Sequence, residues 1–170
     1  MSTTFRSLGA PAPVADRLAA RGITEPFPIQ TATLPDALAG RDVCGKAPTG
    51  SGKTIAFGIA LVARAGRAVP KRPRGLVLVP TRELAAQVAK ELLELGGRSG
   101  PRVLSIYGGV GFGPQITALR KGIDIVVACP GRLADLVRQG EVHLDEVELV
   151  VLDEADRMAC LLYTSDAADE

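Results

Sequence analysis

The chain has 170 residues, with 20 Lys and Arg against 19 Asp and Glu and a single His. That length favours one domain with a sizeable buried core. A hydrophobic content of 46%, a charged content of 23% and a formal net charge of +1 exclude a disordered chain, a strongly basic nucleic-acid wrapper and an acidic tail protein, while leaving room for a local charged groove. Met1 to Ala20 lacks the apolar stretch of a secretory signal. The longest apolar run, Ile55 to Ala63, is about nine residues, where a membrane span needs roughly 20. Cys44, Cys129 and Cys160 have no metal or redox spacing, so a reducing compartment and a cytoplasmic location are expected. Four Phe, two Tyr and no Trp leave few stacking groups for a binder built on aromatic platforms. The abundance of Ala, Gly and Arg points to a GC-rich bacterial genome.

In chain order, Asp42 to Ala47 reads as a strand leading into a Gly-rich turn, followed by an apolar helix from about Lys53 to Ala65. Arg64, Arg67, Lys71, Arg72 and Arg74 then crowd a Pro- and Gly-containing segment, read as a solvated loop or as a supplementary nucleic-acid contact. Gly75 to Val79 is a buried-strand run. Arg82 to Leu95 carries apolar residues at helical spacing and ends at Gly96-Gly97. Val103 to Tyr107 and Ile123 to Ala128 read as strands, Gln115 to Lys121 and Arg132 to Gln139 as helices, and Leu149 to Asp153 as a last buried strand. Strands separated by helices predict an α/β fold, a mostly parallel sheet with helices on both faces. Ligands of such sheets bind at the carboxyl ends of the strands.

The decisive stretch is Ala47-Pro48-Thr49-Gly50-Ser51-Gly52-Lys53-Thr54. Glycines before a helix let successive backbone N–H groups point at phosphate oxygens, and the helix N-terminus adds its partial positive charge. Lys53 is placed to reach β- and γ-phosphates and Thr54 to ligate Mg²⁺. Ala47 stands where the strict pattern has Gly. The plain alternative is a Gly/Ser turn with no ligand. A second signal, Leu149-Val150-Val151-Leu152-Asp153-Glu154-Ala155-Asp156, sets acids at the tip of an apolar strand. Asp153 would hold Mg²⁺ through its water shell and Glu154 would orient and deprotonate the attacking water. Taken alone, these acids could be a helix N-cap. With the upstream loop they point to hydrolysis of ATP or GTP.

These residues resemble the DEAD-box ATP-dependent RNA helicases. Asp153-Glu154-Ala155-Asp156 spells the family's name. Gly22-Ile23-Thr24-Glu25-Pro26-Phe27-Pro28-Ile29-Gln30 is similar to its adenine-recognising Q motif, with Phe5 standing where the family has an isolated upstream aromatic. Pro80-Thr81-Arg82-Glu83-Leu84-Ala85 resembles motif Ia, Gly108-Gly109 the GG motif, and Cys129-Pro130-Gly131-Arg132 motif Ib. The resemblance runs from Phe5 to Met158 and implies a RecA-like P-loop fold. It implies ATP and Mg²⁺ as cofactors. Phe5, Ile23, Pro28, Gln30, Thr49, Gly50, Ser51, Gly52, Lys53 and Thr54 are then the nucleotide-binding residues, and Lys53, Asp153 and Glu154 the catalytic ones. It implies RNA as the partner, held by its sugar-phosphate backbone without sequence reading through Pro80, Thr81, Arg82, Gly108, Gly109, Pro130, Gly131 and Arg132. RNA would be told from DNA by its 2′-hydroxyls. The Gln30 amide, which can donate and accept, would match the N6/N7 edge of adenine.

Two departures weaken single contacts. Ile23 replaces the usual aromatic of the Q motif, and Cys129, a weak donor, replaces the Thr of motif Ib. His143 and the cysteines are read as structural or incidental. Beyond Met158 the resemblance stops, and residues 159–170 read as an atypical tail from truncation or read-through. In the family the next strand lies between the P-loop strand and the Asp153 strand. Its absence is expected to leave unpaired edges and exposed apolar faces. A second RecA-like domain, the source of arginine fingers, is expected in a longer parent. The 170-residue chain by itself is expected not to unwind RNA and to hydrolyse ATP slowly at best. The rival reading is a non-catalytic nucleotide- or RNA-binding fragment.

Overall fold

The computed structural model describes residues 3–159. Cys160 and the tail expected at 159–170 lie, apart from Ala159, outside the described residues. The described residues form two compact units: 3–64 with 90–100, and 65–89 with 101–159.

The first unit carries three helices, α1 (Ala12–Ala20), α2 (Pro28–Leu38) and α3 (Lys53–Arg64). Its core gathers Phe5, Val14, Leu18, Leu34 and Ile59 with Leu95, which lies near the end of α4 (Arg82–Gly96). Gly58, within α3, is needed for packing, because a Cβ there would lie 2.8 Å from Leu95 Cδ1. The strand expected over Asp42 to Ala47 is not formed. Residues 41–46 are irregular and exposed. A strand exists only as a member of a ladder, and among the described residues this extended segment has no neighbour to pair with.

The second unit holds the sheet. Strands β1 (Gly75–Leu78), β2 (Val103–Ile106), β3 (Ile125–Ala128) and β4 (Leu149–Leu152) are all parallel in the order β2-β3-β1-β4. Helices α5 (Phe112–Lys121) and α6 (Pro130–Arg138) follow β2 and β3. Leu119, Leu133 and Leu136 from these helices pack with Leu76, Ile106, Val126 and Ala128 of the sheet. Val77, Ile125 and Val127, which alternate to the opposite face, are also fully buried. Burial on both faces explains why β1 and β3 read as continuous apolar runs. The expected elements all form here, with α5 beginning three residues earlier than its periodicity suggested.

β4 lies at an edge of the sheet. Val150 and Leu152, on the face that α5 and α6 cover elsewhere, are 59% and 57% exposed. The edge and its apolar surface are those expected where a neighbouring strand is lacking.

Asp124 fixes the starts of the strands. Its carbonyl accepts from the amides of Arg74 and Gly75 before and at β1, and its own amide donates to Arg102 before β2. Its carboxylate, 0% exposed, accepts from the amides of Ala68 and Arg102 and from the guanidiniums of Arg67 and Arg102. Burial alone pushes this carboxyl upward, but the Arg102 side chain, the two amides and Arg67 outweigh it and hold it well below the usual carboxylate range. Three more residues of the basic segment have carboxylate partners. Lys71 pairs with Glu141, Arg72 with Asp145, and Arg74 with Glu146 and Glu148. Arg120 and then Lys71 lower the Glu141 carboxyl to about 2. Arg64, the first residue of the segment, instead donates through Nη1 to the Ala37 carbonyl at 3.0 Å.

Candidate functional site

In the first unit the Gly-rich turn ends at the N-terminus of α3. Gly50 and Gly52 have φ of 81° and 85°, a backbone that L side chains rarely adopt. At Gly52 an added Cβ would also strike the Gln30 amide and the Phe27 ring. The Lys53 ammonium lies on the carbonyls of Ala47 and Pro48. Ser51 Oγ is buried with no hydrogen-bond partner among the described residues. An orphaned hydroxyl, a positive-φ turn and a lysine folded over it form a cradle suited to an anion. The loop is reached through irregular chain and not through a strand, which corrects the expected context.

The Q-like segment meets this turn through Gln30. Its Nε2 donates to the Gly52 carbonyl at 3.0 Å, while its Oε1 accepts from the Phe27 amide at 2.8 Å. Gln30 is 1% exposed, so the amide expected to face adenine braces the glycine turn in this structure. Phe5, at 3% exposure, is a member of the core of the first unit. Ile23 packs against the same core. Pro28, the first residue of α2, borders an open depression of about 510 Å³ with Glu25, Pro26 and Thr31. Thr54 is half-buried on the first turn of α3.

In the second unit the segments just past β1, β2 and β3 emerge at one edge, because the strands are parallel and in register. Arg82, at the start of α4, lies against Gly109: a Cβ on that glycine would lie 3.4 Å from Arg82 Nη1. Its Nε donates to Glu83 at 2.8 Å, and this bond raises Arg82 and lowers Glu83. Thr81 Oγ1 accepts from the Leu84 amide at 3.3 Å. Arg132, early in α6, donates through Nη1 to the Val110 carbonyl at 2.9 Å. Gly108, Gly109, Pro130 and Gly131 are exposed around these arginines. The thiol of Cys129 is pushed up by burial and then by Glu83. Two features went unnoticed in the sequence: the Glu83 partner of Arg82, which adjacency could have suggested, and the Phe112 ring under Arg132, which local spacing does not reveal.

Asp153 and Glu154 follow β4 on the same edge. The Asp153 amide donates to the Leu78 carbonyl at 3.0 Å and its side chain is buried. Glu154 has φ of 54°, left-handed for a non-glycine residue, and its carboxylate pairs with Arg157 at 3.3 Å. The strain turns the chain sharply from strand into the helical residues 155–159. His143 is exposed, with its backbone amide bonded to Lys71. Cys44 and Cys129 are free thiols. Among the described residues no group of three or more His, Cys, Asp or Glu could hold a metal ion, and no helix is long and apolar enough to cross a membrane.

A parallel α/β sheet with acids at a strand tip, and a glycine turn leading into a helix beside a buried amide, define a RecA-like fold. The DEAD/DEAH box helicase family model matches residues 27–166, and the chain belongs to that family. It is 47% identical over 158 residues to DEAD-box ATP-dependent RNA helicase 53 of Oryza sativa subsp. japonica, covering 90% of this chain and 26% of the relative. It is 43% identical over 164 residues to the DEAD-box ATP-dependent RNA helicase CshA of Bacillus cereus, covering 96% and 31%. The RNA-helicase Prp28 from Chaetomium thermophilum, solved bound to ADP, superposes with a TM-score of 0.85 at 39% identity, over 93% of this chain and 40% of that one. A DEAD box protein from Methanococcus jannaschii gives 0.85 at 34% identity, over 97% and 45%. The chain thus spans between a quarter and a third of these curated relatives.

Proposed function

We propose that the whole protein is an ATP-dependent RNA helicase and that residues 1–158 are its N-terminal RecA-like ATP-binding domain. The observation that carries this reading is the cradle: positive-φ glycines, the buried Ser51 hydroxyl and Lys53 held on the turn's own carbonyls. On binding ATP, the Lys53 ammonium exchanges those carbonyls for phosphate oxygens, a gain because the new partners carry charge. Thr49, Gly50, Ser51 and Gly52 line the phosphates. Thr54 is the proposed oxygen ligand of Mg²⁺ and Asp153 would hold the ion through its water shell; the bound ion would neutralise charge on the phosphates. A magnesium that arrives with its nucleotide needs only one or two protein oxygens. Glu154 takes the proton of the attacking water. Its left-handed backbone fixes where the carboxylate starts.

RNA is the proposed partner at the rim formed by Pro80, Thr81, Arg82, Gly108, Gly109, Pro130, Gly131 and Arg132. Exposed backbone and arginines there suit phosphates and not base edges. The assignment of Gln30 to adenine requires its brace on Gly52 to open, so preference for ATP over GTP tests it. A bacterial source, supported by composition, and a cytoplasmic location complete the proposal. A second reading, a nucleotide- or RNA-binding fragment without turnover, is favoured by the uncovered Val150 and Leu152 at the sheet edge.

Titration of the 170-residue chain with a fluorescent ATP analogue tests the carrying observation. Binding weakened by about tenfold or more in Lys53→Ala is expected from the loss of a charge-assisted contact. Equal binding by the variant, or equal competition by GTP, refutes the proposal. Slow hydrolysis by the chain excludes the second reading.

A further inference from the structure

Arg132 differs from the other arginines of its unit. Each of those has a carboxylate partner, whereas Arg132 has none among the described residues. Its guanidinium carbon instead lies 3.9 Å from the centroid of the Phe112 ring. One corner, Nη1, is tied to the Val110 carbonyl at 2.9 Å. The ring is itself fixed, since Phe112 is half-buried and packs against the core beneath α5 and α6. One face of the guanidinium is therefore shielded, one corner is spent, and the charge is not neutralised. Its remaining N–H groups have no acceptor among the described residues. They form a planar fork of the kind that binds a phosphate through two parallel hydrogen bonds.

We propose that Phe112 is a positioning residue: its ring and the Val110 carbonyl hold the Arg132 fork ready for an RNA phosphate. This rests on the RNA reading of the rim. The arrangement also links the glycine loop 108–111 to α6. A free arginine would lose its rotamer entropy on binding, whereas a clamped one has already lost it. Phe112 therefore raises RNA affinity without touching RNA.

The test compares Phe112→Leu, Phe112→Tyr, Arg132→Ala and the double variant Phe112→Leu/Arg132→Ala in the full 170-residue chain. The first readout is ¹⁵N relaxation of the Arg132 Nε–H group without RNA. It is ordered in the parent and in Phe112→Tyr, and mobile in Phe112→Leu. The second is binding of a fluorescein-labelled oligouridylate across a salt series. Phe112→Leu weakens it by about three- to tenfold, the scale of immobilising one rotamer-rich side chain, with the salt slope unchanged. Arg132→Ala lowers the salt slope by about 0.7, one phosphate contact on a single strand. Phe112→Leu has no further effect in the Arg132→Ala background, which a merely structural role would not reproduce. An Arg132 Nε–H that stays ordered in Phe112→Leu overturns the proposal, as does an affinity loss that persists in the double variant. Loss in Arg132→Ala with none in Phe112→Leu overturns it while sparing the RNA rim. Parent-like binding by Arg132→Ala overturns the RNA reading and the proposal together.

Discussion

Asp124→Asn is the substitution from which the structure expects most. The carboxylate accepts from Ala68 N at 2.7 Å, Arg102 N at 2.8 Å, Arg102 Nη2 at 2.8 Å, Arg102 Nε at 3.2 Å and Arg67 Nη1 at 2.9 Å. Every neighbour is a donor. The amide variant keeps the shape but sets an NH₂ against at least one of them and removes the charge that both guanidiniums face. Deleting one partner of a buried ion pair costs about 3–5 kcal/mol. The Arg67 and Arg102 side chains are 62% and 43% exposed, so water recovers part of their charge and the lower end applies. About 3 kcal/mol is a large share of a stability of about 5–15 kcal/mol and corresponds to a melting shift of roughly 6–12 °C at this size. Urea and thermal unfolding across pH provide the assay. The folded-state pKa is depressed, so the stabilisation is complete above the unfolded value of about 3.9 and is lost as pH falls through the folded value. The parent should therefore exceed the variant by a constant margin at neutral pH, and the margin should shrink below about pH 4. A variant that melts like the parent, or a margin that ignores pH, would show that Asp124 does not hold the strand starts.

Two further substitutions probe the acid tip and the open edge. Glu154→Gly releases a left-handed non-glycine backbone and gives up only a surface pair with Arg157, so a gain of about 1 kcal/mol is expected together with loss of hydrolysis in the full-length protein. Unfolding curves and a phosphate-release assay check both, and a lower melting point would contradict the strain. Val150→Thr with Leu152→Thr should slow the rise of light scattering at high concentration while leaving the melting point nearly unchanged, because both side chains already face water. Unchanged scattering would mean that association proceeds through another surface.

What the sequence made readable, and what it hid, divides by how far a relation reaches. β1, β3 and the glycine turn could be read because each is specified within a few residues, by an apolar run or by glycines before Lys53. Asp42 to Ala47 has the composition of a strand, yet being a strand depends on a partner, and no local pattern supplies one. Gln30 lies between these cases. Its acceptance from the Phe27 amide spans three residues, a spacing that belongs to helix starts and was available to inspection. Its donation to Gly52 spans 22 and was not. Asp124 draws on Ala68 and Arg102, 56 and 22 residues away, and Arg132 reaches Val110 across 22. In each hidden case the distant contact changes what the residue can do. Gln30 becomes a brace, Asp124 an anchor, and Arg132 a held fork. Motif spelling identifies which residues belong to the chemistry, while the long-range hydrogen bonds determine which of them are free to perform it. The same rule predicts where further surprises in this family's fold will lie. They will be at motif side chains whose polar atoms are already committed elsewhere, because a committed group must be released before it can act, and that release is a step that substitution can accelerate or block.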